Sequence, residues 1–314
     1  MKRVRKQVLE YLARSGKVIS GEDMALELGV TRAAVWKAVR DLRRVGEDIV
    51  SSHKGYFLKA KEEMRASSIL RALPQMGWVE CYQTIPSTND RARVLAQEGA
   101  PHFSLVVAET QSQGRGRFSR QFYSPVGTGL YCSLILRPTC DISYLARLTP
   151  LAAVAVADAI FHLTSTEVGV KWVNDLWLGG KKICGILTEG AIDPNGGLAY
   201  AVVGIGINVG ATAFPQDLAT IATDIETQTG VKVPLHKLLC EVLACLETRL
   251  EELESGAFLA TYRRLSVLDG KEVTISRGGT YLHGVVRGIG ENGELILASD
   301  GKDIPITSGE IVKM

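Results

Sequence analysis

Residues 109–125 read ETQSQGRGRFSRQFYSP, a stretch without the apolar period of a helix or a strand. Such a segment predicts a loop that interrupts regular structure. Its three arginines, Arg115, Arg117 and Arg120, are interspersed with glycine and serine. Glycine allows the backbone to approach a ligand closely, and guanidinium groups recognise phosphate and carboxylate with several donors. A solvated basic loop is the alternative, but Gln111 and the aromatic-Ser-Pro exit favour an anion-binding loop that orders over its ligand.

Length and composition indicate an ordinary globular protein of two or three domains. The chain has 314 residues, of which 46% are hydrophobic. Its most apolar stretch, residues 151–161, is too short to span a bilayer, and the N-terminal sequence has no uninterrupted apolar run that predicts export. The six cysteines form no CxxC pair and have no accompanying histidine spacing. They predict reduced, mostly buried thiols in a cytoplasmic protein, and neither a disulfide framework nor a zinc site.

The N-terminal segment predicts a winged helix-turn-helix. Its first 59 residues carry 13 Lys and Arg against 7 Asp and Glu, a net charge of +6, whereas the remainder has a net charge of −4. Three helical patterns precede a hairpin at residues 49–58, and the third helix, capped by Thr31, buries Val35 and Val39. The residues expected to contact DNA are Arg32, Ala33, Trp36, Lys37, Arg40 and Lys54. A protein-interaction or purely structural module is the alternative, but the charge asymmetry favours DNA.

Residues 77–255 predict an α/β body. Strands are expected at residues 79–82, 104–110, 129–136, 168–173, 175–178, 183–190 and 199–209. Helices are expected at residues 90–98, 145–163 and 235–254. Because the strands arrive in pairs, a mixed sheet is favoured over a Rossmann fold.

Past residue 264, short strands and glycine turns predict a small all-β barrel. The predicted fold class is therefore α+β and multidomain. It comprises a winged helix-turn-helix at residues 1–60, a mixed-sheet α/β domain at 61–265 and a small SH3-like β-barrel at 266–314.

Four further motifs place polar groups or glycines where a ligand could lie. STN at residues 87–89 has more N-cap residues than capping requires, which leaves polar groups that could bind a ligand. The alternative is that all three residues serve only the cap. KWVND at residues 171–175 sets a cation beside a carboxamide and a carboxylate, which can hold phosphates and a metal-bound nucleotide. A surface turn with an ordinary Lys–Asp pair would explain it too. Lysines precede an apolar strand in KKICGIL at residues 181–187, and glycines interrupt the strand GIGIN at 204–208, which indicates close backbone approach.

Taken in order, these five motifs resemble those of the biotin protein ligases. KWVND resembles the family's KWPND, with Val173 in place of proline, and the arginine loop has Ser119 and Phe122 where the family commonly has glycine and tryptophan. The resemblance covers nearly the whole chain, since a helix-turn-helix, a ligase body and a C-terminal barrel occur together in bifunctional members that also repress biotin operons.

The resemblance implies a set of site residues. The implied biotin contacts are Ser87, Thr88, Asn89, Gln111, Gly114, Arg115, Gly116, Arg117, Lys182 and Gly185. The implied ATP and adenylate contacts are Arg117, Arg120, Phe122, Lys171, Asn174, Lys182 and Asn208. The implied catalytic groups are Arg115, Arg117, Lys171 and Lys182, with Asp175 as a candidate Mg²⁺ ligand.

The same resemblance implies two half-reactions. The biotin carboxylate attacks the α-phosphorus of Mg-ATP to give biotinyl-adenylate and pyrophosphate. A lysine amine of a biotin acceptor domain in a carboxylase then attacks the mixed anhydride and releases AMP. It also implies a homodimer formed with bound adenylate, and operator DNA bound through residues 20–58.

Three alternatives stay open at this point. The chain could be a lipoate-type acyl ligase, because those enzymes have a related catalytic fold. It could be a biotin-sensing repressor with weak ligase activity, given the substitutions at Ser119 and Phe122. It could also be a ligase whose helical module no longer binds DNA.

Overall fold

The computed structural model describes residues 2–44, 47–59, 64–193, 196–210 and 213–314. By its internal contacts the chain divides into two units, Met1–Cys81 and Tyr82–Met314. The domain boundaries expected near residues 60 and 265 stay predictions.

The first unit contains the predicted helix-turn-helix and wing. Its elements are α1 (Lys2–Ser15), α2 (Gly21–Glu27), α3 (Arg32–Arg44), β1 (Ile49–Ser52), β2 (Gly55–Leu58) and α4 (Ala66–Ala72). Ser20 caps α2 by accepting a hydrogen bond from the N–H of Asp23 at 2.9 Å, and Thr31 accepts one from Ala34 at 3.2 Å. Val35 and Val39 are buried on the inner face of α3 as predicted. The third helix is expected at residues 32–46, and residues 45 and 46 lie outside the described residues.

The second unit is built on a seven-stranded sheet with the order β3-β4-β5-β9-β8-β7-β6. Its strands are β3 (Val79–Ile85), β4 (Ser104–Gln111), β5 (Gly129–Leu136), β6 (Gly169–Lys171), β7 (Asp175–Leu178), β8 (Lys181–Ile192) and β9 (Leu198–Asn208). Every predicted strand is present. β8 begins two residues early because Trp177 pairs with Lys182 and Leu178 with Lys181 across the β7–β8 hairpin. β6 ends early, at Lys171, because the chain turns there to form the antiparallel pair with β7.

Six helices accompany this sheet in the described residues. They are α5 (Thr88–Gln97), α6 (Leu145–Thr164), α7 (Gln216–Ala219), α8 (Ile225–Thr229), α9 (Leu235–Leu250) and α10 (Phe258–Arg264). The segment Ile142–Thr164 is long and apolar enough to cross a membrane by composition, but 61% of its most apolar window is buried within the protein. Residues 151–160 are all buried except Asp158, which is typical of a core helix, and α6 packs against β8, β9 and α9.

The C-terminal residues form a five-stranded antiparallel sheet with the order β13-β12-β11-β10-β14. Its strands are β10 (Glu272–Arg277), β11 (Thr280–Ile289), β12 (Leu295–Ser299), β13 (Lys302–Ile306) and β14 (Glu310–Lys313). The predicted turns join them: Gly278 and Gly279, for example, adopt positive φ angles of 55° and 87° between β10 and β11. Closure of this sheet into a barrel stays a prediction.

Candidate functional site

A pocket of about 400 Å³ opens in the second unit. The start of α5, the ends of β4 and β6, the loop after β4 and the strands β8 and β9 form its wall, which residues 309–311 complete. The structure therefore brings together most of the residues expected to bind ligands: Ser87, Thr88, Asn89, Gln111, Arg115, Gly116, Arg117, Arg120, Phe122, Lys171, Asn174, Asp175, Lys182, Gly185 and Asn208. Gly114 does not line the pocket. It is buried behind the loop, where an added Cβ would lie 2.6 Å from the carbonyl oxygen of Phe122.

Two facing glycines leave bare backbone on the floor of the pocket. Gly185 of β8 and Gly206 of β9 are partners across the antiparallel pair. The ring of Phe122 rests on this floor, since a Cβ would lie 2.6 Å from the ring at Gly206 and 3.2 Å from it at Gly185. The ring also meets Tyr131 edge-on with centroids 6.3 Å apart. Glycine at these positions thus allows a flat group to lie directly on the sheet.

The start of α5 is hydrogen-bonded beyond what a helix cap requires. Ser87 provides the cap, because its hydroxyl accepts from the N–H of Asp90 at 3.3 Å. Thr88 donates its N–H and its hydroxyl to Oε1 of Gln111 at 2.8 and 3.0 Å. Ser133 of β5 adds a contact of 2.7 Å to the Thr88 hydroxyl. Only the first residue of the STN motif therefore caps the helix, and the second belongs to a buried polar network.

Asn89 is held from three sides in the same network. Its Oδ1 accepts from the hydroxyl of Ser133 at 2.6 Å, and its Nδ2 donates to Glu189 at 2.8 Å and to the carbonyl of Leu187 at 3.3 Å. Gly204 provides the space, because a Cβ there would lie 2.1 Å from Asn89 Oδ1. A buried carboxamide with this many partners is held in one orientation.

Two lysines and an aspartate stand beside the glycine floor. Nζ of Lys182 lies 2.7 Å from Oδ1 of Asp175. This ion pair lacks hydrogen-bond geometry, so Asp175 Oδ1 is buried without accepting a hydrogen bond. Nζ of Lys171 lies 4.7 Å from the ring centroid of Trp177. Burial lowers the pKa of Lys171; Asp175 opposes this effect and Lys182 adds to it.

The KWVND turn is not a surface turn. Trp172 is 5% exposed, and its indole N–H donates to the carbonyl of Gly293 at 3.0 Å. The carbonyl of Val173 accepts from the hydroxyl of Tyr262 at 3.0 Å. These contacts anchor the turn to α10 and to the C-terminal sheet, so its polar side chains are carried on a rigid support.

Arg115 is tied into a network of alternating charges. Its guanidinium lies 2.8 Å from Asp90 and 3.0 Å from Glu189, and Arg93 lies 2.6 Å and 3.7 Å from the same two carboxylates. All four side chains are between 29% and 42% exposed. Ion pairs this exposed contribute only about 0–1 kcal/mol each, so the network positions the loop and adds little stability.

Arg117 and Arg120 connect the loop to the C-terminal sheet. Arg117 donates to Oδ1 of Asn174 and to the carbonyl of Gly309 at 3.3 and 3.2 Å, and within the described residues it forms no ion pair. Burial lowers the pKa of Arg117, against the opposing attraction of Asp175. Arg120, whose side chain is 67% exposed, forms an ion pair with Glu310.

The two asparagines expected to contact the nucleotide, Asn174 and Asn208, donate hydrogen bonds to backbone carbonyls around the pocket. Nδ2 of Asn174 donates to the carbonyl of Ile186 at 2.9 Å, and Nδ2 of Asn208 donates to the carbonyl of Thr223 at 3.0 Å. Both side chains still line the pocket. Their orientation is therefore set by backbone groups on neighbouring segments.

The residues expected to contact DNA lie in the first unit. Arg32, Ala33, Trp36 and Lys37 are exposed on α3, and Lys54 is exposed in the turn between β1 and β2. Arg40 is half-buried, and its guanidinium carbon lies 5.1 Å from the ring centroid of Trp36. Trp36 is 56% exposed, so the outer face of α3 presents an aromatic ring among cations.

Among the residues in and around the pocket that the sequence did not indicate, three are polar partners of predicted site residues: Ser133, Glu189 and Glu310. Ser133 interrupts the otherwise apolar strand GLYCSLIL, which was the available signal. Glu189 lies after the KKICGIL motif, and Glu310 lies in the last strand. The last two carried no local signal, because their importance comes from arginines 74 and 190 positions away in the chain.

Family profiles match three parts of the chain. Residues 81–208 match the biotin/lipoate A/B protein ligase family, residues 4–57 match a helix-turn-helix domain, and residues 270–314 match the biotin protein ligase C-terminal domain.

Curated relatives extend over most of the chain. The bifunctional ligase/repressor BirA of Bacillus subtilis (strain 168) is 36% identical over 263 residues, which is 81% of this chain and 81% of that protein. The bifunctional ligase/repressor BirA of Escherichia coli (strain K12) is 30% identical over 309 residues, which is 96% of this chain and 94% of that protein.

Solved structures of the same kind superpose on it. The biotin protein ligase from Aquifex aeolicus in complex with biotin and ATP is 26% identical, has a TM-score of 0.65, and covers 74% of this chain and 97% of its own.

The burial of Lys171 has a measurable consequence for stability. We expect Lys171→Met to raise the free energy of unfolding at pH 7, because burial disfavours the ammonium in the folded state. The folded pKa lies below the unfolded value of about 10.4, so the destabilisation is fully present below the folded pKa and is lost above about pH 10.4. Urea denaturation at pH 7 should give a higher free energy of unfolding for Lys171→Met than for wild type, and this difference should disappear above pH 10.

Lys181→Met is the matched control, because Nζ of Lys181 donates to the carbonyl of Ala219 at 2.7 Å outside the pocket. Lys181→Met should not raise the free energy of unfolding by a comparable amount. A Lys171→Met variant less stable than wild type at pH 7 would mean that Trp177 and Asp175 outweigh the cost of burial.

Proposed function

The chain belongs to the biotin protein ligase family, in its class of bifunctional ligase/repressors, and we propose that it activates biotin with ATP, transfers it to a lysine of an acceptor protein, and represses biotin biosynthesis genes. One observation carries this proposal. A buried polar network and a cluster of cations meet in a single pocket across a glycine floor on which the ring of Phe122 rests. That arrangement suits a ligand with a polar head and an anionic tail.

The buried polar network favours biotin over a lipoate-type substrate. Thr88, Asn89, Gln111 and Ser133 provide hydroxyl and carboxamide groups that can both donate and accept. A ureido ring has two N–H donors and a carbonyl acceptor that match such a network. A dithiolane ring has no such groups, so it would form no hydrogen bonds with this network.

The cations oppose the repulsion between the two substrates. In the first half-reaction a carboxylate oxygen of biotin attacks the α-phosphorus of ATP, the bond to the β-phosphate oxygen breaks, and pyrophosphate leaves. Two like charges about 4 Å apart at an effective dielectric near 20 repel by about 4 kcal/mol. We assign Lys182 to the biotin carboxylate and the developing adenylate phosphate, and Lys171, Arg117 and Arg120 to the ATP phosphates. Asn174, Asn208 and Phe122 are assigned to the nucleotide.

Asp175 fits a role in holding Mg²⁺. Its Oδ1 is a buried carboxylate oxygen paired with the ammonium of Lys182, and Mg²⁺ takes oxygen ligands from one or two carboxylates and from phosphates. When bound, the ion supplies positive charge to the polyphosphate. Asp175 also holds the ammonium of Lys182 at 2.7 Å and so orients it toward the carboxylate of biotin.

In the second half-reaction the substrates supply the nucleophile. The ε-amine of an acceptor lysine attacks the carbonyl carbon of the mixed anhydride, the bond to the phosphate oxygen breaks, and AMP leaves. No serine, cysteine or histidine nucleophile is required. We assign to Arg115, Gly116 and Arg117 the closure of their loop over the adenylate, which keeps water from the anhydride. The acceptor is the biotin-carrying domain of a biotin-dependent carboxylase.

The first unit provides the repressor function. The exposed Arg32, Lys37 and Lys54 suit phosphate contacts, and Trp36 with Arg40 suits contact with base edges. We propose that adenylate binding favours a homodimer that reads a two-part operator through residues 20–58, and that the protein works in the cytoplasm.

Substrate choice directly tests the proposal that the protein is a biotin ligase. Purified protein with Mg-ATP, biotin and a biotin acceptor domain should transfer biotin to the acceptor lysine, as seen by mass spectrometry. Replacing biotin by lipoate, and the acceptor by a lipoyl domain, should give no transfer, because the polar network has no partner in the dithiolane ring. Transfer of lipoate at a comparable rate would contradict biotin specificity. If neither biotin nor lipoate is transferred, the ligase proposal fails and the hypothesis of a biotin-sensing repressor is favoured.

Lys182 should be indispensable for the first half-reaction. We expect Lys182→Ala to slow ATP–pyrophosphate exchange in the presence of biotin by at least about 10²–10³-fold, because a positioned charge beside the developing phosphate is lost. The control is Lys181→Ala, the neighbouring lysine whose Nζ contacts Ala219 outside the pocket. It should exchange at the wild-type rate. Wild-type exchange by Lys182→Ala would refute the assignment.

Adenylate should strengthen operator binding. In gel shifts with promoter DNA of biotin biosynthesis genes, biotin plus ATP should lower the apparent Kd. Lys37→Ala should reduce the slope of log K against log salt by about 1, since one phosphate contact is lost. Lys17→Ala removes the same charge from an exposed site outside α3 and the wing, and should leave the slope unchanged. If adenylate has no effect at any salt concentration, the repressor proposal fails.

A further inference from the structure

Outside the pocket, α6 and α9 bring together three side chains that the ligase reaction does not use. His162 lies in the last turn of α6, and Glu241 and Cys245 lie one turn apart on α9. Nδ1 of His162 is 2.7 Å from Oε1 of Glu241. Sγ of Cys245 is 3.8 Å from that nitrogen and 3.9 Å from that oxygen. We propose that these three residues form a binding site for a divalent cation, with Zn²⁺ as the preferred ion.

The distances suit a tetrahedral zinc centre. Zn–N and Zn–O bonds of about 2.0–2.1 Å and a Zn–S bond of about 2.3 Å place ligand atoms about 3.3–3.6 Å apart. The two sulfur distances exceed this range by only a few tenths of an ångström. The His162–Glu241 contact is shorter, because a hydrogen bond joins these atoms, and side-chain rotation on the helix surface can open it.

The ligand set also suits the charge and softness of zinc. A neutral imidazole, a carboxylate and a thiolate together carry a charge of −2, which balances the divalent ion. Zinc is the divalent ion that commonly combines nitrogen, oxygen and sulfur ligands in tetrahedral sites. Cys245 is buried behind the cluster, whereas His162 is exposed, so the fourth position faces solvent and can take water.

An ion pair one turn away fixes the relative register of the two helices. Asp158 precedes His162 by one turn on α6, and Arg249 follows Cys245 by one turn on α9. Nη2 of Arg249 lies 2.9 Å from Oδ2 of Asp158. Two successive turns of α6 therefore face successive turns of α9, and the three ligands are carried on rigid elements instead of loops.

The site would join the end of the core helix α6 to α9. Because α6 packs against β8 and β9, which carry the glycine floor, the bound ion should stabilise the second unit without contacting substrates. The spacing of cysteines and histidines along the chain predicts no zinc site. His162 is 79 residues from Glu241 and 83 from Cys245, and only helix packing brings them together.

Binding of Co²⁺, a spectroscopic probe, to the full-length protein tests this proposal. The protein is first stripped of metal with a chelator and is kept reduced. We expect one equivalent of Co²⁺ to produce a thiolate-to-cobalt charge-transfer band together with tetrahedral d–d bands. Zn²⁺ should displace the cobalt and raise the Tm of the stripped protein by several degrees. No charge-transfer band at one equivalent would overturn the proposal.

Variants identify the ligands. Cys245→Ser should remove the charge-transfer band, and His162→Ala, at an exposed position, should weaken cobalt binding at least tenfold. Cys240→Ser is the matched control, because Cys240 lies on the same helix outside the cluster, and its spectrum should equal that of wild type. All three variants should retain biotin transfer at the wild-type rate. A band that persists in Cys245→Ser, or disappears in Cys240→Ser, would show that the metal binds elsewhere.

Discussion

Repulsion between two anions is the constraint on which this pocket depends. A carboxylate and a polyphosphate must come within bonding distance, and in water nothing holds them there. Cations from different elements line the pocket and oppose this repulsion: Lys171 at the end of β6, Lys182 in β8 and Arg117 on the loop after β4. All three are partly buried, and burial lowers the pKa of Lys171 and of Arg117. The folded protein therefore holds charged groups where they are disfavoured, which is the usual cost of a site built for anions.

Carboxylates and neutral oxygens keep these cations in place. Lys182 is paired with Asp175, Arg115 with Asp90 and Glu189, and Arg120 with Glu310, whereas Arg117 donates to uncharged oxygens. Partly exposed ion pairs are individually weak, so they can exchange for phosphate or carboxylate partners at little cost. They also explain how a loop with no apolar period still takes a defined path, since charge pairs and backbone contacts replace a hydrophobic face.

The other half of the pocket is governed by shape and hydrogen bonding. Gly185 and Gly206 give a floor without side chains, and Gly204 makes room for Asn89, whose carboxamide is held by Ser133 and Glu189. The flat ring of Phe122 lies on this floor. Substrate affinity and substrate choice thus have different physical origins in this chain, the first mainly electrostatic and the second set by satisfied hydrogen bonds.

The sequence by itself determined the strands, the three longest helices of the second unit, the order of the motifs and the helix-turn-helix, because periodicity, caps and glycine turns act between residues close in the chain; the short helices α7, α8 and α10 were not predicted. Nearly all the residues that the sequence indicated as ligand contacts line the pocket, and Gly114 is buried within the loop. Only the tertiary structure decided which carboxylate pairs with which arginine, that Ser133 holds Thr88 and Asn89, and that His162 meets Cys245. Apart from the local pair of Arg93 with Asp90, these contacts join residues from 25 to 190 positions apart. Their existence depends on strand register and helix packing, which linear spacing does not contain.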